Sequence, residues 1–160
     1  MKPLLMVVMF FCSSILCSSA RAISTADVAG YVRASQTEIL IAVPVLRVSE
    51  IANELHLFLR KSRVKVRIIT GLDSVVDSAS YFWTLQRDGA IVRTVPSVSG
   101  FEMILDGQVR ITGDFIGKIL APDEINLARV ERGAAVAAYV KHFEQFWATA
   151  ILFPTPLEGK

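Results

Sequence analysis

The sequence predicts an α/β sandwich: one mixed central sheet with helices on both faces. Three observations carry that prediction. Apolar runs of strand length alternate with amphipathic segments of helix length as far as Pro96. The rhythm then changes to two short apolar runs flanking Asp106-Gly107, the pattern of a hairpin. A segment from Ala134 to Ile151, apolar at helical spacing, closes the order. Elements in this order bury their apolar faces in layers around one sheet.

Each element follows from local residues. Ser24, with Asp27 three positions on, has capping-box spacing and opens a short helix to about Ser35. Glu38 to Val45 (EILIAVPV) is a buried strand, too short for a free-standing helix. Ser49 caps a helix to about Arg60, with Ile51, Leu55, Phe58 and Leu59 on one face. Val64, Val66 and Ile68 alternate with Arg63, Lys65 and Arg67, then lead through Ile69 to Gly71 as a strand. Ser74 to Arg87 returns to helical spacing through Val75, Ala79, Phe82 and Trp83, and Gly89 suits the position past a helix end. Ala90 to Val95 is a third strand, stopped by Pro96. Phe101 to Leu105 and Val109 to Thr112 form the hairpin, and Asn126 to Glu131 adds a strand. The helix from Ala134 to Ile151 turns Val136, Tyr139, Val140, Phe143, Phe146, Trp147 and Ala150 inward; a tail, 154–160, follows with Pro154 and Pro156.

Residues 1–22 stand apart. Lys2, an apolar stretch from Leu4 to Leu16 and the exit Ala20-Arg21-Ala22 have the layout of a secretory signal peptide cleaved after Ala22. The domain is then 23–153, and the expected location is periplasmic or secreted. Both cysteines, Cys12 and Cys17, fall in the leader, so the remainder carries neither a disulfide nor a cysteine zinc site. The leader also holds both excess positive charges, Lys2 and Arg21, leaving 15 basic and 15 acidic side chains beyond it. That balance argues against a protein holding nucleic acid chiefly by charge. A composition of 52% hydrophobic and 20% charged residues excludes a disordered chain.

Five phrases in this order carry a resemblance: EILIAVPV, LRKSRVKVRIIT, LQRDGAIVRTVP, FEMILDGQVRITGDF and YVKHFEQFW. From about Ala34 to Ala150 the chain resembles the phospholipase D-like superfamily, especially its short, secreted, single-motif phosphodiesterases and endonucleases. The resemblance implies the superfamily's α/β sandwich and its signature, HxKx4Dx6GSxN, on the hairpin. Asp106 and Gly113 match that signature, but Ser99 stands at the histidine, Phe101 at the lysine, Asp114 at the serine and Ile116 at the asparagine. Glu124 lies near the acid usually found ahead of the next strand, with Ile125 at the aligned place.

In such enzymes, the resemblance implies, the histidine attacks phosphorus, a second histidine protonates the leaving oxygen, and the lysine and asparagine hold the phosphoryl oxygens. Ser99 has no partner base in sight, Phe101 removes a positive charge, and Asp114 adds a negative one. Each lost transition-state donor is worth ~3–4 kcal/mol by analogy with oxyanion-hole deletions. The expectation is a catalytically inactive binding or structural partner. The rival is a phosphodiesterase with a rearranged site, using Ser99 with Asp106 or one of the histidines, His56 or His142. No cofactor or metal is expected, because the two histidines lack flanking carboxylates at ligand spacing.

Other residues have bland readings beside sharper ones. Asp106-Gly107 satisfies a turn whether or not it is a relic of a site. Arg60, Lys61, Arg63, Lys65 and Arg67 read as a solvated rim, or as a patch for a phosphate-rich partner such as anionic lipid headgroups or DNA, with Arg63, Lys65 and Arg67 the candidates. Phe82, Trp83, Phe143, Phe146 and Trp147 read as core. The resemblance implies a homodimer joined at the motif face, in which Phe101 and its mate line an apolar seam. A protein partner remains an option, and specific nucleic-acid binding is not expected.

Overall fold

The computed structural model describes residues 23–61, 64–113 and 128–154. The leader 1–22, Arg63, Asp114, Ile116, Glu124, Ile125 and the tail beyond Pro154 lie outside the described residues.

The chain opens with α1 (Thr25–Ala34), whose capping box is complete. Ser24 Oγ accepts the Asp27 N–H at 3.1 Å, and Asp27 accepts the Ser24 N–H at 2.8 Å. There follow β1 (Glu38–Ala42), α2 (Ser49–Lys61), β2 (Lys65–Gly71), a 3₁₀ turn (Leu72–Val76), α3 (Phe82–Arg87) and β3 (Ile91–Val95). The hairpin comprises β4 (Phe101–Leu105) and β5 (Val109–Gly113), after which come β6 (Arg129–Arg132), α4 (Val136–Thr149) and β7 (Ile151–Leu152).

The strands form one mixed sheet in the order β6-β5-β4-β1-β2-β3-β7. β1, β2 and β3 are parallel, and the remaining pairings are antiparallel. Side-chain alternation divides the core. Ile39, Ile41, Val66, Ile68, Met103 and Leu105 face Val28 and Val32 of α1, Ile51 and Leu55 of α2, and Phe82 and Leu85 of α3. Leu40, Ile69, Val95 and Ile104 face Val136 and Phe143 of α4. Helices therefore cover both faces, and the sandwich expected from the sequence is the observed architecture. No helix among the described residues is long and apolar enough to cross a membrane.

Three boundaries differ from the sequence expectation. The helix expected over Ser74 to Arg87 is interrupted. Asp77, held by the Arg47 guanidinium at 2.8 Å, accepts the Ala79 N–H at 3.0 Å through its side chain and the Ser80 N–H at 3.1 Å through its carbonyl. That local turn gives the backbone an alternative to helix, so only Phe82–Arg87 is α-helical. Ile151, expected to end the last helix, instead pairs with β3 opposite Thr94, and Leu152 follows opposite Arg93. The strand expected over Asn126 to Glu131 runs from Arg129 to Arg132 where described.

Candidate functional site

Where β1 and β2 end and β4 begins, the loop over residues 97–100 and α4 border a groove of about 580 Å3. Ala42 and Ile69 of the sheet, Ser97, Val98, Ser99 and Gly100 of the loop, and His142, Phe143 and Phe146 of α4 line it. The sheet contributes Phe101, Glu102, Arg110, Thr112, Gly113 and Arg129. Gly100 takes a φ of +74°, which lets the loop turn into β4 at the groove's lip.

The groove's charges come from alternate positions on β4, β5 and β6. Arg110 is clamped between Glu102, 2.5 Å away, and Glu131, 2.9 Å away, and its guanidinium lies 3.5 Å from the centre of the Tyr139 ring. Burial pushes the Arg110 pKa down, but hydrogen bonds to the two carboxylates outweigh it and raise it overall. Arg129, opposite Thr112 in the β5–β6 ladder, is exposed and makes no ion pair among the described residues. His142 is exposed, its ring edge-on to Phe146 at 4.8 Å between centres. No group of three or more His, Cys, Asp or Glu side chains among the described residues is placed to hold a metal ion.

The fold that carries this groove has known counterparts. A phospholipase D family member, Nuc, from Salmonella typhimurium superposes with a TM-score of 0.72 at 17% identity, covering 84% of this chain and 93% of that one. The chain has the phospholipase D-like fold. NucT from Helicobacter pylori gives a TM-score of 0.71 at 12% identity, over 80% of this chain and 89% of its own. TrmBL2, an archaeal chromatin protein described as having a novel mode of DNA binding, gives 0.54 at 16% identity, over 80% of this chain and 49% of that chain. No family model matches the chain, and no curated protein matches its sequence.

On this phospholipase D-like frame the residues singled out by the sequence separate into groups. Ser99, Phe101 and Gly113 all border the groove. Phe101, however, is only 4% exposed and belongs to the core on the α1–α3 face, so most of its ring packs within its own chain. Asp106 is elsewhere: β4 lies between it and Ser99, a separation on the order of 15 Å at ~3.3 Å per residue. Its carboxylate is occupied by Gln36, Thr37 and Glu38, so a Ser99–Asp106 pairing does not form.

The histidines divide likewise. His142 borders the groove, whereas His56 on α2 pairs through Nδ1 with Asp88 at 2.6 Å. Asp88 also takes Arg60, whose hydrogen bonds are the main cause holding its carboxyl below the ordinary range. Of the basic cluster, Lys65 is exposed, but Arg67 is not on a solvated rim. Its guanidinium bonds Glu38 at 2.8 Å and Glu144 at 2.9 Å beneath the rings of Phe143 and Trp147, so its charge is already compensated. Phe146, expected in the core, is 44% exposed on the groove wall. Sequence reasoning passed over Glu102, Arg110, Thr112 and Arg129. The two-residue alternation of the hairpin places the first three on one face, whereas Arg129 had no such signal.

Proposed function

We propose that this chain is an exported phospholipase D-like domain that binds a partner or ligand at the groove and does not hydrolyse phosphodiesters. The observation that carries the reading is the chemistry of the groove at the signature positions. A serine with no assigned base stands where the nucleophilic histidine is expected, and a core-buried phenylalanine stands where the lysine is expected. Of the two guanidinium groups that line the groove, Arg110 is committed to Glu102 and Glu131. A phosphoryl group there would meet neither the histidine nor the lysine of the signature. If two copies pair at this face, the exposed contributors are Ser99, His142 and Phe146 rather than Phe101.

One observation favours the enzymatic alternative: His142 and Ser99 both border the same groove. A base facing a hydroxyl is the elementary requirement for an activated nucleophile. The purified protein should therefore be assayed with bis(4-nitrophenyl) phosphate and single-stranded DNA, with and without EDTA, beside His142→Asn and Ser99→Ala. No turnover above buffer supports the binding reading. Metal-independent turnover lost in both variants replaces it with a rearranged phosphodiesterase.

A further inference from the structure

The groove is chemically lopsided. At its sheet end Arg110 is neutralised by Glu102 and Glu131, which leaves Arg129 as an exposed guanidinium without an ion pair among the described residues. At its helix end Phe146 is 44% exposed, and Phe143, Ile69, Ala42 and Val98 continue the apolar surface into the base. Burying such apolar area is worth ~25 cal/mol per Å2, so an occupant with an apolar body gains by covering Phe146. The volume of about 580 Å3 lies within the usual range for small-molecule sites, ~300–1,000 Å3.

From this we infer that the groove holds a small organic monoanion, its acidic group on Arg129 and its apolar body against Phe146. One free guanidinium matches one carboxylate, because the planar fork donates two parallel hydrogen bonds to a single acid. A second negative charge finds no second free guanidinium among the described groove residues, since Arg110 already serves two carboxylates. Glu102, on the same wall, disfavours surplus negative charge. The neutral hydroxyls of Ser97, Ser99 and Thr112 can donate to the remaining acid lone pairs. The inference rests on the binding reading above and names the chemistry of what is bound.

The test is calorimetric titration of the purified protein with decanoate, decyl glucoside and decyltrimethylammonium, each below its micelle concentration, and with acetate. Decanoate should bind saturably at one per chain, about tenfold or more tighter than the neutral and cationic amphiphiles, with acetate silent. Arg129→Gln should reduce decanoate affinity to that of decyl glucoside, and Phe146→Ser should weaken both. Arg132→Gln, an exposed change outside the groove, should alter neither; near-identical melting curves would show that the variants fold. Equal binding of all three amphiphiles, or an Arg129→Gln affinity within about twofold of the parent, overturns the inference. Phosphodiester turnover overturns the binding reading instead, whatever the titrations give.

Discussion

The carboxylate of Asp106, at the tip of the β4–β5 hairpin, accepts both the N–H and the hydroxyl of Thr37, at 2.8 and 2.9 Å, from 69 positions away in sequence. It also accepts the N–H groups of Gln36 at 2.9 Å and Glu38 at 3.1 Å. Asp106 and Gly107 both take positive φ, +53° and +65°, so the turn and the latch are built from one residue. Burial pushes the Asp106 carboxyl up, but these donors outweigh it and hold it below the usual range.

A first prediction concerns that latch. Asp106→Ala should cost roughly 1–3 kcal/mol, because it unsatisfies several N–H groups and places alanine at positive φ. Asp106→Asn, which tolerates that backbone and keeps one acceptor, should cost less. The unfolded-state pKa is the higher one, so the unfolded chain binds the extra proton as pH falls. The carboxylate's contribution is complete above ~pH 5 and lost as pH falls through the folded value. Urea midpoints measured from pH 7 down to pH 3 should show a shallower acid loss in Asp106→Asn. A parent-like slope would remove the latch.

Phe101 separates a core from a seam. With its ring in the core, Phe101→Ala should destabilise by about 3–5 kcal/mol. The oligomeric state by light scattering should not change. Near-parental stability with an altered oligomeric state would return Phe101 to an interface.

Arg67 ties α4 to the sheet. Glu38 bonds its Nε, Glu144 bonds both terminal nitrogens, and the guanidinium sits 5.2 Å from the Trp147 ring centre. Arg67→Met leaves both carboxylates unpaired and should cost roughly 1–3 kcal/mol in chemical denaturation. Arg67→Lys should recover only part of this, since an ammonium cannot fork to both acids.

Phe153 fills the space beneath α3. It is 2% exposed, with its ring centre 4.6 Å from Trp83 and 5.9 Å from Phe82. Phe153→Ala should cost about 3–5 kcal/mol in urea unfolding. A loss under about 1 kcal/mol would mean that the site collapses around the missing ring.

The layers of this fold were legible because alternation and helical spacing are local. Ile39 and Ile41 against Leu40 already describe a strand buried on two faces. The apolar runs around Asp106-Gly107 placed the hairpin, and the resemblance singled out Ser99 and Gly113 beside it. What escaped was decided by partners distant in sequence. Nothing near Ile151 announces that β3 lacks a neighbour, and nothing near Arg67 announces Glu144. Phe146 has the spacing of a core residue, but the rim of the groove lies where α4 overhangs the sheet, so its ring stays in solvent. Asp77 shows the converse: a short polar side chain overrode a helical pattern that surrounding apolar residues supported.

The position of Phe153 also constrains how the protein comes into being. Gln86 donates to the Phe153 carbonyl 67 positions later, and β3 receives its outer neighbour only from residues 151–152. During synthesis, Phe82 and Trp83 emerge long before the ring that covers them. A nascent chain that already displays β1 to β6 still presents an open apolar pit beside an unpaired strand edge. Closure must wait for nearly all of the described sequence, which makes that interval the one in which holding chaperones have most to grip.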